Sequence, residues 1–218
     1  MDHTENSGRE RILARIHSGL RMPAPKHSAA PTAQMVFAAI PDPLARFQDE
    51  CAYNATECVL MRDSRASSRA LADALAPVPE GEIYIQDAPA LRRLTEGSGI
   101  DRAVRWSTEG PPTEASQATV TLAECLVAAT GSILISSAAA GRGASIVAPV
   151  HIVVAEIAQL VPDLASAVAR ARKSGGVTGS SCLCLITGSS RTADIEKILV
   201  LGAHGPRRVV VILARQLD

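Results

Sequence analysis

Apolar positions along this chain of 218 residues fall into short runs separated by amphipathic stretches. Over residues 7–21, Ile12, Leu13, Ile16 and Leu20 recur at helical spacing, with Arg9, Glu10, Arg15 and Arg21 on the other sides, which predicts a short helix. Pro23, Pro25 and Pro31 stop that helix and make a stiff linker to about residue 35. The apolar stripe must bury itself against its own domain or a partner subunit. From about residue 42 the pattern is mixed: helical over 44–53, strand over 57–61, helical and alanine-rich over 64–76, strand over 82–86, helical over 88–95. Residues 96–118 are weakly patterned, and Pro111-Pro112 marks a loop.

The second half is plainer. Residues 118–129 read as a strand followed by a tight segment, and 132–137 as a strand ended by the Gly141-Arg142-Gly143 turn. A strand over 151–155, a helix over 162–172 with Pro in its first turn, and a Gly/Ser loop over 173–181 follow. The apolar run 182–187 predicts a strand, 193–201 a helix, and 207–213 a last strand. Strands alternating with helices of this length predict an α/β fold with a mostly parallel sheet flanked by helices. The domain division expected is 1–35 for the N-terminal helix and Pro-rich linker, and 36–218 for one α/β domain.

Composition narrows the function classes. The 22 basic residues are balanced by 22 acidic ones, which removes the electrostatic footprint of a nucleic-acid binder. Phe37, Phe47, Tyr53, Tyr84 and Trp106 are the whole aromatic complement, too few for a base-stacking platform. The longest apolar runs are too short to span a bilayer. The N-terminus has no hydrophobic signal core, and Asp2, Glu5 and Glu10 sit badly with a transit peptide, so a cytoplasmic setting without a membrane span is expected. Cys51, Cys58, Cys125, Cys182 and Cys184 form no CxxC pair, which fits buried free thiols in a reducing compartment. Neither a metal nor a cofactor is expected.

Polar chemistry concentrates in residues 188–206, between the two apolar strands 182–187 and 207–213. A strand-to-helix loop of an open parallel sheet lies at its carboxyl edge, where ligands usually bind. Gly188 permits a sharp turn, Thr192 is a natural N-cap, and the Ser189 and Ser190 hydroxyls with Arg191 suit a phosphate or carboxylate. Plain helix capping explains the same residues: Asp194 and Glu196 at a helix N-terminus contribute roughly 0.3–1 kcal/mol each through the dipole. Two apart on a helix, they do not share a face and cannot by themselves chelate one metal. A helix of about ten residues runs roughly 15 Å. On that reading His204 lies at the opposite sheet edge from Ser190, out of reach of a Ser-His-Asp arrangement.

The run Gly188-Ser-Ser-Arg-Thr-Ala-Asp-Ile-Glu196 followed by Gly202-Ala-His-Gly-Pro206 resembles the paired signature of the lactate-utilization protein C family, the LUD-domain proteins. The family's Ala-Glu-Thr-Gly-Thr/Ser element is matched by Ala128-Ala-Thr-Gly-Ser132, and its Arg-x-x-Ser-x-x-Pro stretch by Arg142-Gly-Ala-Ser145 with Pro149 one residue late. Residues 9–16 look like the family's opening helix. The resemblance touches both ends and is dense over about 118–214. It implies a fold similar to the ribose-phosphate isomerase and CoA-transferase group, and a part in oxidising L-lactate to pyruvate beside partner subunits that carry iron–sulfur clusters.

Two departures fall in the implied site. Ala129 stands where the family usually has Glu, which removes the residue most easily cast as a carboxylate nucleophile. Ser189 stands where it has Pro. The expectation is therefore an accessory subunit whose cleft binds a small anion through Thr130, Gly131, Ser132, Arg142, Ser145, Gly188, Ser190, Arg191, Thr192 and Asp194, with no catalytic residue assigned. The alternative is an independent sugar-phosphate isomerase-like or acyl/CoA-transferase-like enzyme using Asp194 or Glu196 as acid–base.

Overall fold

A computed structural model of the protein describes residues 5–23, 39–175, 179–192 and 200–217. The chain divides into two compact units, 1–38 and 39–218. The described element of the first is α1 (Glu5–Arg21), on which Ile12, Ile16 and Leu20 are exposed.

The second unit opens with α2 (Pro43–Tyr53), where Asp42 accepts hydrogen bonds from the Leu44 and Ala45 N–H groups at 3.1 and 3.0 Å and Pro43 needs no partner for its nitrogen. In chain order come β1 (Thr56–Met61), α3 (Ser64–Leu75), β2 (Glu82–Ile85), α4 (Pro89–Ser98), β3 (Val104–Trp106), β4 (Ser116–Leu122), β5 (Cys125–Val127) and β6 (Ser132–Ser136). The short helix α5 (Ser137–Ala140), β7 (Val150–Glu156), β8 (Leu160–Val161), α6 (Leu164–Lys173) and β9 (Leu183–Ile186) follow. The last elements are β10 (Arg191–Thr192), β11 (Val200–Leu201) and β12 (Arg208–Ala214).

Six strands form one wholly parallel sheet in the order β1-β12-β7-β4-β2-β3. The strand β12, between β1 and β7, carries Val209-Val-Val-Ile-Leu213, all buried, because a parallel strand covered on both faces must be apolar at every position. On one face Leu71 and Leu75 of α3 and Leu91 and Leu94 of α4 pack over Ile83, Ile85, Val120, Ile152 and Ile212. On the other, Phe47 and Cys51 of α2 join Ile133, Ile135 and Ile186 over Val153, Val209, Val211 and Leu213.

That second face is where the fold departs from the expected plan. It is covered by α2 and by a second sheet, β8-β5-β6-β9, in which β6 runs antiparallel to both β5 and β9. The segment after β4 was legible only as tight; it is a hairpin, turned through Gly131 at φ +64°. Outside this sheet, α6 buries Ala167 and Ala171 against Cys125, Val127 and Leu134. The α6 boundary also shifts, since Asp163 rather than Pro162 caps it by accepting from the Ser166 N–H at 2.7 Å.

The predicted helix 193–201 is corrected at its described end. Val200 and Leu201 are in a strand, and pair antiparallel with Thr192 and Arg191; residues 193–199 lie outside the described residues.

Candidate functional site

The site is built where α2 ends. Asn54 caps that helix, and Ala55 takes a left-handed φ of +54° before the chain enters β1. The Asn54 carboxamide donates to Glu50 O at 2.8 Å and to Thr130 O at 3.2 Å, tying the helix end to the β5–β6 hairpin. Its own carbonyl accepts from Arg191 Nη2 at 2.9 Å. A cation at a helix C-terminus is favourable in its own right.

Two glycines make this convergence possible. A Cβ on Gly131 would lie 2.8 Å from the Glu50 backbone, and one on Gly188 (φ +80°) would overlap the Asn54 carbonyl oxygen. Both positions need a left-handed backbone and direct contact with the end of α2, which only glycine supplies without strain.

Beside them runs a chain of hydroxyls. Thr130 Oγ1 and Ser132 Oγ are 2.7 Å apart, and Ser132 Oγ and Thr187 Oγ1 again 2.7 Å apart. The chain passes from exposed Thr187 through buried Ser132 to half-buried Thr130. Among the described residues no base or carboxylate is bonded to any of the three, and the array can both donate and accept hydrogen bonds.

The structure therefore gathers Thr130, Gly131, Ser132, Gly188 and Arg191 around one helix end. Ser190 is backbone-bound nearby: its N–H donates to Pro206 O at 2.8 Å and its carbonyl accepts from Gly202 N–H at 2.9 Å. The expected separation of Ser190 from the 202–206 turn is thus overturned, because Arg191 and Thr192 pair with Leu201 and Val200 as β10 and β11 and bring the two ends together. His204 itself is exposed. Thr192 lies in β10 rather than at a helix N-cap, and Asp194 lies outside the described residues.

Arg142 and Ser145 are elsewhere. Ser132 and Ser136 are opposite ends of β6, and α5 leads from the Ser136 end to Arg142, whose Nε donates to Ser181 Oγ at 3.1 Å. Ser181 precedes β9 while Thr187 follows it, so a whole strand separates the Arg142 contact from the hydroxyl chain. Ser145 is buried beyond α5, in the turn where Ala140 and Ala144 cover Tyr84.

The edge of the sheet also differs from expectation. β9 belongs to the second sheet, and the turn carrying Ser190 precedes β12, so it lies at the amino end of the parallel strands. At their carboxyl ends, polar side chains hold loops together: Gln86 accepts from Leu122 N–H and Glu156 from Leu217 N–H. Asp87 there is bonded by Arg92 and by Thr108, and the Arg92 guanidinium keeps its carboxyl below the ordinary range. A cleft of about 710 Å³ lies apart from both places, between the C-terminal ends of α3 and α4. Glu80, Glu82 and Asp101 line it and oppose an anion, while its Arg102 is engaged by the Leu75, Val78 and Pro79 carbonyls.

Sequence reading missed Asn54 and Thr187. An Asn directly after an amphipathic helix is a recognisable C-terminal stop, but its reach to Thr130 is a tertiary fact.

Residues 112–214 match the family model described as the LUD domain. Over that stretch the chain is similar to this family. Its similar curated proteins include lactate utilization protein C of Bacillus subtilis (strain 168), 36% identical over 126 residues, which are 50% of this chain and 52% of that one. Lactate utilization protein C of Bacillus velezensis is 38% identical over 96 residues, 43% of this chain and 38% of that one. The chain thus spans about half, or less, of the length of these relatives. A crystal structure of a DUF162 family protein from Deinococcus radiodurans shares the fold, with a TM-score of 0.60 at 22% identity, covering 79% of this chain and 96% of that one.

Proposed function

We propose that the chain takes part in lactate utilization as an accessory subunit of a cytoplasmic system that oxidises L-lactate to pyruvate, and that it binds a small carboxylate or phosphate where α2 ends. The observation that carries the ligand reading is the meeting of three separate segments at Asn54: the Thr130-Gly131-Ser132 turn, Thr187-Gly188, and Arg191. A guanidinium beside hydroxyl donors has the fork geometry that carboxylates and phosphates accept. The names of the relatives support the lactate setting. No described helix is long and apolar enough to cross a membrane.

On this reading the protein holds or hands on an anion, and the redox step belongs to partner subunits bearing iron–sulfur clusters. Among the described residues, no group of three or more His, Cys, Asp or Glu could hold a metal ion. Ala129, buried within the β5–β6 turn, supplies no carboxylate.

Titration calorimetry of the full chain with L-lactate, pyruvate and inorganic phosphate tests the site. At least one should bind, and Arg191→Ala should weaken it by about tenfold or more, the scale of one charge-assisted hydrogen bond. Equal affinity in the variant, or no binding of any of the three, overturns the site. Affinity capture from cells grown on lactate should recover iron–sulfur subunits; capture without them overturns the partner reading.

A further inference from the structure

The parallel sheet brings one residue from each strand into a single row. From β1 to β3, Thr56, Val209, His151, Thr119, Tyr84 and Arg105 stand side by side in register. Residues paired in register share a face, and this one is the face covered by α2 and the second sheet, where the next row toward the carboxyl ends holds Val211 and Val153. Among the described residues, the buried side-chain nitrogens and oxygens without a hydrogen-bond partner are Thr56 Oγ1, His151 Nδ1, Thr119 Oγ1 and Arg105 Nε, and all four belong to this row. Thr56, Thr119 and His151 are 4%, 1% and 0% exposed. Arg105 is half-buried at the sheet edge, where its other nitrogens reach Glu109 O and Glu82. Tyr84 is satisfied by Ala140 O. A buried polar atom left without a partner is costly, and His151 and Thr119, carrying one each, are next to each other in the row.

The His151 ring is held at Nε2, 2.9 Å from Thr121 Oγ1, which leaves Nδ1 for another group. Neighbouring strands are about 4.8 Å apart. Two hydrogen bonds of about 2.8 Å meeting at the tetrahedral angle of one water molecule span about 4.6 Å, which matches that spacing. Thr56 lies two strands from His151, roughly 10 Å, outside the reach of the same molecule. No charged side chain stands in the row between Thr56 and Tyr84, and burial favours the neutral form of His151, so the occupant is small, neutral and able both to donate and to accept. We infer that His151 Nδ1 and Thr119 Oγ1 together form an internal binding site for one water molecule, held between β7 and β4 beneath the covering layer. The site is separate from the helix end and does not rest on the ligand reading above.

Water itself is the probe, and the folded full chain is the sample. Oxygen-17 relaxation dispersion counts water molecules held for longer than the protein takes to tumble. Thr119→Val keeps the shape of the side chain and loses the hydroxyl, so it should lower that count by one per chain, while Thr119→Ser should keep the parent count. An equal count in the parent and Thr119→Val overturns the site. Crystals of the parent chain give an answer that depends on no variant: a solvent oxygen within about 3.2 Å of both atoms is expected. Well-ordered His151 and Thr119 side chains with no such oxygen overturn the site. Removing an orphaned hydroxyl stabilises a core, whereas removing a water-bonded one takes a partner from the imidazole. The urea midpoint of Thr119→Val should therefore fall, and a midpoint that rises or stays in place overturns the proposal.

Discussion

Arg191 Nη2 donates to the main-chain oxygen of Asn54 at 2.9 Å, joining residues 137 positions apart in sequence at the end of α2. Through the same Asn54, whose carboxamide reaches Thr130 O, the helix end holds two segments that neither the parallel sheet nor its hydrogen bonds connect.

Asn54→Ala should therefore loosen the helix end from the β5–β6 hairpin. Losing the bonds to Glu50 O and Thr130 O is expected to cost about 1–2 kcal/mol, with Asn54→Asp failing to rescue because a carboxylate cannot donate to either carbonyl. Urea denaturation of the three proteins measures this. A midpoint unchanged in both variants would show the bridge to be energetically idle.

Gly131→Ala is expected to destabilise by at least about 1 kcal/mol, since it adds a side chain at φ +64° with no room against Glu50. Gly99→Ala, in the left-handed region at φ +65° with no atom within 4 Å of the added carbon, should be milder. Thermal denaturation of the pair separates steric overlap from backbone strain: equal losses would mean that contact with α2 contributes nothing.

His151 on β7 is fully buried, with Nε2 2.9 Å from Thr121 Oγ1 and Nδ1 without a partner among the described residues. Burial lowers its pKa from 6.5 to about 4. The unfolded chain thus takes up this proton first as pH falls, so the neutral histidine's contribution is complete above pH 6.5 and is lost between there and about 4, on the order of 3 kcal/mol in all. Unfolding free energies at pH 7 and pH 4.5 should differ less in His151→Leu than in the parent. An identical difference would mean that other groups set the acid sensitivity.

Arg208 at the start of β12 grips Glu57 of β1 through Nε and Nη2 at 2.7 and 2.6 Å, while Nη1 reaches Ala74 O at the end of α3. Glu57 is half exposed, so the ion pair alone is worth about 1 kcal/mol or less. Arg208→Lys keeps the charge and loses the fork, and its stability should fall nearer to Arg208→Ala than to the parent. A lysine variant as stable as the parent would reduce the contact to simple charge.

The division between what the sequence disclosed and what it hid follows from range. Apolar runs such as 209–213 announced buried parallel strands, because burial on both faces leaves no alternation to misread. The three residues of β3 and the three of β5 were too short to show any period. The turn at Ser190 was placed at the wrong edge because β9 looks like any other apolar strand, and nothing local records that it pairs with β6 rather than with β12. Thr130, Ser132, Gly188 and Arg191 were named from motifs, and they do gather; Arg142 was named the same way and lies beyond the far end of β6.

The position of β12 has a consequence for how the molecule is made. The last strand of the chain lies between β1 and β7, and among the described strands it is the sole neighbour of β1 in the sheet. A nascent chain emerging from the ribosome must therefore carry β1 unpaired until residue 208 and its successors have been synthesised. Joining them is a long-range closure of the kind that slows folding. Through that interval β1 presents open hydrogen-bonding edges, and chaperone occupancy should concentrate there until the C-terminal strand is released.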